Sequence, residues 1–248
     1  MITLITGGSR GLGKNMALTL ADRGHDIILT YNSRKDEADS VVAEIMKKGR
    51  KAAALQLDVS KSAEFQAFAD AVKDVLKGFG SETFDNLVNN AGIGINAPFT
   101  ETTEEQFDLL VNIHLKAPVF LTQKLLPMIK DGGRIMNLSS GLARFCMPGY
   151  SVYGSLKAAV DTLTRYMAKE LGARGISVVA LAPGAIETDF GGGVVRDNEQ
   201  VNKLIASMTA LGRVGLPDDI GGAAAALLSP EARWINGMRV EASGGTLL

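Results

Sequence analysis

The sequence is poor in the residues that form disulfides and metal sites. It holds one cysteine and two histidines among 248 residues. Because Cys146 has no second cysteine to pair with, an internal disulfide and a cysteine-based zinc cluster are both excluded. His25 resembles a turn residue and His114 part of a helix, so the two histidines do not suggest a shared metal. We therefore expect no metal cofactor.

A strong charge imbalance and long apolar runs are also missing. The 26 basic and 27 acidic side chains leave a net charge of −1, so no overall field attracts nucleic acid or an anionic membrane. No apolar run approaches the roughly 18 residues that a membrane-spanning helix needs. The first predicted strand begins at Ile2, which leaves no space for a signal segment. These absences favour a cytoplasmic protein with a small-molecule partner.

What the sequence does contain is an apolar fraction of 46% and 28 glycines, typical of a globular protein. Short β-rich runs alternate with stretches of helix length. The predicted strands are residues 2–6, 26–31, 51–57, 84–90, 133–140, 177–183 and 238–242. This alternation predicts a single α/β domain over residues 1–248, a doubly wound Rossmann-type sheet of seven parallel strands flanked by helices. In such folds ligands bind beyond the carboxyl ends of the strands.

One predicted helix, after residue 101, carries two local signals. Thr102 and Glu105 have the spacing of a capping box at its start. Pro118 should kink or divide this helix, because its nitrogen carries no proton for the helical hydrogen bond.

A glycine-rich stretch follows the first predicted strand and precedes a helix. Its pattern is T-G-x-x-x-G-x-G, with Gly7, Gly11 and Gly13, and Met16 stands where G-x-G-x-x-G would have its third glycine. Glycines there allow a tight turn and close approach to a pyrophosphate, which amides at the helix N-terminus would hold. No G-K-[ST] follows, so a P-loop is excluded. The context favours nucleotide binding over a glycine-rich connection without a ligand.

The spacing Y-x-x-x-K occurs twice, at Tyr153 with Lys157 and at Tyr31 with Lys35. Four residues are about one helical turn, so each pair could meet one ligand from one helix face. The spacing alone does not separate the two pairs, and a solvated surface pair is the alternative for either.

Several further motifs stand in a fixed order along the chain: "TGGSRGLG" (6–13), "LDV" (57–59), "NNAG" (89–92), Asn112, Ser140, "YGSLK" (153–157), "PGAIET" (183–188) and "GRVGLPDDI" (212–220). With these motifs, the chain resembles the short-chain dehydrogenase/reductase family from Ile2 to about Gly245. The family has a serine thirteen residues before its catalytic tyrosine. Ser140 has this spacing to Tyr153, whereas Leu18 stands thirteen residues before Tyr31.

The resemblance implies a catalytic set of Asn112, Ser140, Tyr153 and Lys157. Reduction of a ketone builds negative charge on the carbonyl oxygen, which calls for a proton donor and a hydrogen-bond donor there. Tyr153 and Ser140 would supply them. A free phenol has a pKa of about 10, and we expect the Lys157 charge to lower the pKa of Tyr153. By resemblance, Lys157 also holds the nicotinamide ribose, and Asn112 holds a water in a proton relay at a helix kink.

The resemblance also implies a set of cofactor-binding residues. Asp58 resembles an adenine-contacting aspartate, with a helix N-cap near Ser60 as the alternative. The set is Gly7, Ser9, Arg10, Gly11, Leu12, Gly13, Tyr31, Asn32, Ser33, Arg34, Asp58, Val59, Asn90, Ala91, Gly92, Tyr153, Lys157, Pro183, Gly184, Ile186 and Thr188. A substrate loop is expected at about 185–210, with residues 189–204 mobile and Gly191–Gly193 as its hinge; a plain surface loop is the alternative.

The end of the second predicted strand indicates the cofactor. Enzymes that prefer NAD usually place an acidic residue there, which binds the ribose 2′-hydroxyl. This sequence has Tyr31, then Asn32, Ser33 and Arg34, while Arg10 adds a second cation from the glycine loop. Because two arginines would stabilise a 2′-phosphate, we predict NADP(H).

The substrate is less closely defined. By resemblance, the chain is nearest to 3-oxoacyl-[acyl-carrier-protein] reductases and related NADPH-dependent ketone reductases. Arg174 matches one of the basic residues that dock the acyl carrier protein, but Asp131 stands where another is expected, and an acidic residue opposes an acidic carrier. A small or medium ketone is therefore an equal candidate to a 3-oxoacyl thioester.

Two other functions and an assembly state complete the expectations. An NAD-linked alcohol or polyol dehydrogenase would have an acidic residue near position 31, and a non-catalytic nucleotide-sensing regulator would need neither Tyr153 nor Lys157. The resemblance further implies a homotetramer, paired through the helices at 103–129 and 152–173 and through the last strand and C-terminal tail.

Overall fold

All seven predicted strands are present in the computed structural model, which describes residues 1–248. Six match their predicted ranges to within one residue at each end, and the fifth begins earlier. The strands are β1 (Ile2–Ile5), β2 (Asp26–Tyr31), β3 (Ala52–Gln56), β4 (Phe84–Asn89), β5 (Ile129–Leu138), β6 (Ser177–Pro183) and β7 (Arg239–Ala242).

The strands form one sheet in the order β3-β2-β1-β4-β5-β6-β7, and every neighbouring pair is parallel. The chain first builds outward from β1 to β3 and then returns to add β4 on the other side. The order therefore reverses between β1 and β4, and the crevice at the carboxyl ends of these two strands is where such a sheet binds ligands. The predicted fold class is confirmed.

Nine helices connect the strands: α1 (Gly11–Asp22), α2 (Lys35–Lys47), α3 (Phe65–Phe79), α4 (Glu104–Val111), α5 (Ala117–Leu125), α6 (Ser151–Leu171), α7 (Val194–Asp197), α8 (Glu199–Ser207) and α9 (Pro217–Leu227). None of them combines the length and the apolar character that crossing a membrane would require.

The helices cover both faces of the sheet, and each face has its own apolar core. On one face, Met16 and Leu20 of α1 and Ile220 of α9 pack against the strands. On the other face, Val72 of α3 and Leu121 of α5 do the same. Because both faces are buried, the strands are continuous apolar runs without alternation, which is why they could be found as runs in the sequence.

Strand β5 begins at Ile129, four residues before its predicted start. Ile129 pairs with Phe84, and the register then shifts so that the next pair is Asn86 with Arg134. The intervening polar residues are exposed as a bulge. The strand was predicted from its apolar run, and the polar, glycine-containing residues 130–133 separate Ile129 from that run. The pairing of Ile129 with Phe84 was therefore not predicted.

The capping box of α4 lies one residue further along than predicted. Thr103 Oγ1 accepts from the backbone N of Gln106 (3.3 Å), and Gln106 Oε1 accepts from the backbone N of Thr103 (3.2 Å). Thr102 instead donates its hydroxyl to Pro98 O at 3.1 Å. Either Thr102 or Thr103 could have been the N-cap residue of α4. The hydroxyl of Thr102 is already bonded within the preceding turn, so Thr103 is the N-cap.

Helices α4 and α5 are separated by a π-helical segment, Asn112–Lys116. The backbone N of Ala117 donates to Asn112 O, five residues back, and Pro118 follows without a proton to continue the ladder. The helix is therefore divided, as predicted, and the π-helical segment that divides it starts at Asn112.

Candidate active site

The glycine-rich loop joins β1 to α1 at the point where the strand order reverses. Gly7 has a φ of 67°, a conformation that side chains rarely adopt. The loop is anchored to β2, because Gly7 N donates to Thr30 Oγ1 (3.0 Å) and Gly8 N donates to Thr30 O (2.8 Å). No side chain caps α1, and its first turn carries no acidic residue. Its first amides are therefore available to an anionic ligand.

Gly13 lies where α1 passes closest to the loop, and we expect Gly13→Ala to damage both stability and cofactor binding. A β-carbon there would collide with the carbonyl oxygen of Gly7 and lie 2.6 Å from Asn90 Nδ2. Such overpacking costs about 1 to 3 kcal/mol of unfolding free energy. Thermal unfolding and a fluorescence titration with NADPH measure the two effects.

Gly222→Ala is the matched control for this variant. Gly222 is exposed on α9, and a β-carbon there would meet nothing within 4 Å. Since alanine is the better helix former, this change should raise stability by up to about 1 kcal/mol. Unchanged stability and NADPH affinity in Gly13→Ala would contradict the close packing described here.

Asn90 and Ala91, which follow β4, are hydrogen-bonded to the glycine loop. Asn90 Nδ2 donates to Thr6 O (2.8 Å) and Gly7 O (3.1 Å), and the backbone N atoms of Asn90 and Ala91 both donate to Thr6 Oγ1 at 3.0 Å. Gly92 comes next and is exposed. The predicted residues of the two loops are thus brought together. Thr6 joins them, although sequence reasoning did not include it in the site.

Tyr31, Asn32, Ser33 and Arg34 lie together at the carboxyl end of β2. Tyr31 is half-buried, and the other three residues are exposed. The carbonyl oxygen of Asn32 accepts from Gln56 Nε2 at 2.9 Å, which ties this turn to β3.

Both predicted phosphate-binding arginines face carboxylates. Arg34 Nη1 lies 2.7 Å from Glu37 Oε1, and Arg10 Nη1 lies 3.5 Å from Asp189 Oδ2. The side chains of Arg10 and Arg34 are 50% and 57% exposed, so these ion pairs are weak and a phosphate can compete for both cations.

Asp58 and Val59 follow β3. The carboxylate of Asp58 accepts from the backbone N (3.0 Å) and the hydroxyl (2.7 Å) of Ser60 through one oxygen. The next helical turn begins only at Ser62. Asp58 therefore forms a local turn with Ser60 and does not cap a helix directly, and its second oxygen, 3.6 Å from Lys61 Nζ, is partly exposed.

Ser140 and Tyr153 lie beside each other beyond the carboxyl end of β5. Tyr153 stands in the first turn of α6 and is buried. Burial raises the pKa of its phenol, and an interaction with the Ser140 hydroxyl opposes the shift without cancelling it. Ser140 Oγ accepts from Leu142 N at 3.2 Å, so its own proton is free to be donated. The other candidate, Tyr31, lies at β2, remote in the fold from Ser140.

Lys157 follows Tyr153 by one turn of α6, and its ammonium is buried. The Nζ atom donates to Leu138 O at 2.7 Å and lies 5.5 Å from the centroid of the Tyr153 ring. Burial lowers the pKa of Lys157 to about 8, opposed by the carboxylate of Asp161. The structure does not show the expected lowering of the pKa of Tyr153, because burial of the phenol raises that pKa by more than the interaction with the Ser140 hydroxyl lowers it.

Asn112 is the first residue of the π-helical segment and is half-buried. The helix irregularity that the resemblance implies at this residue is present, because the carbonyl oxygen of Asn112 takes the unusual bond from Ala117.

Three aromatic side chains that sequence reasoning left out of the site surround Tyr153. The ring centroids of His114, Phe190 and Tyr150 lie 5.1, 5.7 and 6.4 Å from that of Tyr153. The Nε2 atom of His114 is 2.8 Å from Ile93 O, and burial lowers the pKa of His114 to about 3, so the imidazole is neutral at pH 7. Tyr150 stands only three residues before Tyr153, whereas nothing in the spacing along the chain marks His114 and Phe190 as neighbours of Tyr153.

The predicted substrate loop consists of short helices. Gly191, Gly192 and Gly193 all have positive φ angles, of 62°, 78° and 78°, and α7 and α8 follow them. The ring of Phe190 fills the space beside Gly94, where a β-carbon would lie 2.7 Å from it. Phe190 of this segment packs against Tyr153, with 5.7 Å between the ring centroids, and the substrate loop itself stays a prediction.

Pro183, Gly184, Ile186 and Thr188 lead from β6 into this loop. Gly184 N donates to Ala242 O at 3.1 Å, which holds the segment to β7. Thr188 is buried, and a β-carbon on Gly11 would lie 3.8 Å from Thr188 Cβ. The first turn of α1 and Thr188 are therefore adjacent.

Comparison with known proteins decides the family. The sequence profile of a family described as enoyl-(acyl carrier protein) reductase matches residues 7–246. The chain belongs to the short-chain dehydrogenase/reductase family. The resemblance inferred from the motifs is confirmed.

Within this family, the chain is similar to several reductases. The hydroxynaphthalene reductase-like protein Arp2 of Metarhizium brunneum (strain ARSEF 3297) is 36% identical over 257 residues, covering 99% of this chain and 94% of that protein. The promiscuous reductase LugOII, which catalyses keto-reduction at C1 during lugdunomycin biosynthesis, has a TM-score of 0.94 at 35% identity, covering 99% of this chain and 97% of its own.

A second solved structure bears on the cofactor. The angucycline C-6 ketoreductase LanV, with bound NADP, has a TM-score of 0.94 at 34% identity, covering 99% of this chain and 95% of its own. The presence of NADP in a family member this similar agrees with the cofactor predicted from Arg10 and Arg34.

The residue that matched carrier-protein docking in this family is engaged elsewhere. Arg174 Nε lies 2.7 Å from Asp131 Oδ1, and its other nitrogens donate to Leu126 O (3.0 Å) and Ile129 O (2.5 Å). Arg174 therefore anchors the bulged start of β5 and pairs there with Asp131, whose side chain is 75% exposed.

Proposed function

We propose that the chain is an NADPH-dependent ketoreductase in which Tyr153 donates the proton. The observation that carries this proposal is the meeting of Ser140, Tyr153 and Lys157 beside a ligand-binding crevice of the sheet. The phenol of Tyr153 and the ammonium of Lys157 are buried one turn apart on α6, and the hydroxyl of the half-buried Ser140 lies beside the phenol.

The residues present fit an NADP(H) molecule. The uncapped first turn of α1 suits a pyrophosphate, and the half-exposed cations of Arg10 and Arg34 suit a 2′-phosphate. By the family resemblance, Lys157 would hold the ribose and Thr188 the carboxamide of the nicotinamide half. When bound, NADPH supplies the hydride.

The chain's own residues then handle the charge on the substrate oxygen. Ser140 donates a hydrogen bond to it, because Leu142 N already occupies a lone pair of its Oγ and leaves the proton free. Tyr153 is protonated at pH 7, since burial raises its pKa, so it can give a proton to the developing alkoxide. The Lys157 ammonium, close to the phenol ring, stabilises the phenolate that remains.

A ring ketone of medium size is the substrate class that we propose. Tyr150, Phe190 and neutral His114 place aromatic rings around Tyr153, and such rings pack well against a flat aromatic substrate. The names of the similar proteins, a hydroxynaphthalene reductase-like protein and an angucycline ketoreductase, support this choice. The 3-oxoacyl-carrier alternative is less well supported, because Arg174 is bonded to the main chain at the start of β5 and the exposed carboxylate of Asp131 beside it would repel an acidic carrier.

Initial rates with NADPH and NADH against a panel of ketones test the proposal. The panel holds fused-ring aryl ketones, simple ketones, β-keto esters and 3-oxoacyl thioesters, the last both free and on acyl carrier protein. We expect the highest kcat/KM for an aryl ketone with NADPH. A higher kcat/KM for the carrier-bound thioester would reverse the substrate assignment, and no reduction of any ketone would refute the function.

The two other candidate functions are less well supported by the site. An NAD-linked alcohol or polyol dehydrogenase lacks its carboxylate at the end of β2, where Tyr31 stands. A nucleotide-sensing regulator has no use for the buried cation of Lys157, which is costly to desolvate.

The pH dependence of cofactor binding should report Lys157. Because its pKa is lowered to about 8, the ammonium is present at pH 7 and lost as the pH rises through that value. We expect the Kd for NADPH to increase between pH 7 and pH 9.5, as measured by fluorescence titration. Lys157→Met should bind NADPH more weakly at pH 7 and show no such increase. A wild-type Kd that is constant over this range would contradict the role.

We further propose that the chain acts in the cytoplasm as a homotetramer. Apolar side chains are exposed on the helices that the family commonly pairs: Phe107 (49%), Phe120 (45%) and Tyr166 (66%). Beside the last strand, Trp234 is 95% exposed. Burial against other copies would remove this surface from water. Light scattering should give four times the chain mass, and a stable, active monomer at micromolar concentration would refute the assembly.

A further inference from the structure

A connected set of charged side chains lies behind Ser140, between α6 and β7. Its centre is Arg239, which is 20% exposed. Each of its three guanidinium nitrogens faces a different partner. Nε lies 3.2 Å from Asp161 Oδ2, Nη1 lies 2.7 Å from Glu241 Oε2, and Nη2 donates to Ser140 O at 3.0 Å. One side chain therefore links α6, β7 and the residue that follows β5.

The set continues to the C-terminal tail. Arg144 forms two bonds with Glu241, at 2.7 and 2.9 Å, and donates to Thr246 O (2.6 Å) and Leu247 O (2.8 Å). At the other end, Asp161 stands four residues after Lys157 on the same face of α6. The set thus approaches Ser140 and Lys157 from behind and includes neither the hydroxyl of Ser140 nor that of Tyr153.

Stability alone does not account for this arrangement. Two carboxylates and a guanidinium that are 10 to 20% exposed must give up most of their hydration, and well-packed apolar side chains often stabilise such a position equally well. A planar guanidinium does offer what apolar side chains lack, namely three donor nitrogens in a fixed fork. One of the three is spent on the main chain of the proposed oxyanion-binding residue.

We propose that Arg239 is a positioning residue for Ser140. This inference rests on the proposed function, because it assigns Ser140 the hydrogen bond to the substrate oxygen. The carbonyl oxygen of Ser140 accepts from Arg239 and its Oγ accepts from Leu142 N, so the main chain and the hydroxyl oxygen of this residue are both held in place while the hydroxyl proton stays free to be donated. Asp161 and Glu241 hold the guanidinium in place.

The test is a double-mutant cycle on kcat with NADPH and a ketone that the wild type reduces. Arg239→Met should lower kcat about ten- to a hundredfold, the scale of a misplacement near 1 Å, with the Kd for NADPH nearly unchanged. In a Ser140→Ala background the same change should lower kcat by less than about twofold, since residues acting as one unit are not additive. An equal loss in both backgrounds would show a general structural role and overturn the inference.

Arg239→Lys covers the case in which Arg239→Met does not fold. A lysine keeps a cation between Asp161 and Glu241, but one nitrogen cannot serve three partners. Arg239→Lys should fold like the wild type, as judged by thermal unfolding. It should still lower kcat when Ser140 is present and leave kcat nearly unchanged in the Ser140→Ala variant. Full kcat in this variant would overturn the inference.

Arg213→Met is the matched control. Arg213 also joins a carboxylate to a backbone carbonyl, with bonds to Asp219 (2.7 and 2.9 Å) and Val214 O (3.0 Å), at a site apart from Ser140. It should change kcat equally, and little, in both backgrounds. If the wild type reduces no ketone, or Ser140→Ala keeps full kcat, the proposed function fails and the inference with it. If both behave as proposed and Arg239→Met keeps full kcat, only the inference fails.

Discussion

Tyr153→Phe should reduce ketone reduction by about a hundred- to ten-thousandfold, the usual contribution of a positioned general acid. The phenol lies beside Ser140, and the neighbouring His114 cannot replace it, since burial lowers the pKa of His114 to about 3 and leaves its imidazole neutral. The phenylalanine ring keeps the packing of the tyrosine ring, so the Kd for NADPH should stay close to that of the wild type. Steady-state rates and fluorescence titration measure the two quantities.

Tyr166→Phe is the control for this variant. Tyr166 lies on the same helix and is 66% exposed, so losing its hydroxyl should leave kcat and NADPH binding unaltered. If Tyr153→Phe retains most of the wild-type kcat, the assignment of the proton donor is wrong. Tyr31→Phe should likewise have little effect on the chemical step, which would settle the choice between the two Y-x-x-x-K pairs.

Replacing Arg10 by Ala and Tyr31 by Asp together should reverse the preference for NADPH over NADH. One charge-assisted hydrogen bond contributes about 1.5 to 3 kcal/mol, so two arginines can give a preference on the order of a hundredfold. The new carboxylate at the end of β2 would repel a 2′-phosphate and accept from a free 2′-hydroxyl. The ratio of kcat/KM for the two cofactors is the measurement.

The ion pair between Arg10 and Asp189 has to be considered in this experiment, because Arg10→Ala also removes a partner of Asp189. Removing Arg10 also frees Asp189, which keeps its 2.5 Å contact with Arg196 and so should not displace the loop. Arg23→Ala, at an exposed arginine after the far end of α1, removes one positive charge as Arg10→Ala does and should leave the preference intact. High salt should weaken NADPH binding more than NADH binding. A wild type with equal or better kcat/KM for NADH would refute the placement of these cations.

The sequence was sufficient for the architecture because the strands are buried on both faces. Runs such as residues 177–183 are fully buried, so they appear as unbroken apolar stretches whatever their partners are. The start of β5 was missed because its first pair, Ile129 with Phe84, precedes a polar bulge. The cap of α4 was misplaced because neighbouring threonines offer the same hydroxyl, and only the contact of Thr102 with Pro98 distinguishes them.

The candidate site was predictable where the motif itself fixes the geometry. Tyr153 and Lys157 share one helix, and Ser140 is one short connection away, so their spacing in the sequence constrains their spacing in the fold. Phe190 and Arg239 are brought in by long-range packing that no spacing encodes. The pKa of Tyr153 was also beyond prediction, because it depends on how completely the phenol is buried.

The support of Ser140 by Arg239 has a consequence for the order in which the protein forms. The two residues are 99 positions apart, and Arg144 is joined to the carbonyl oxygens of Thr246 and Leu247 over similar separations. During synthesis the segment with Ser140, Tyr153 and Lys157 leaves the ribosome long before β7 exists. Contacts of such long range form late and slowly. The active site of the nascent chain can therefore be completed only after the last strand, β7, has been synthesised.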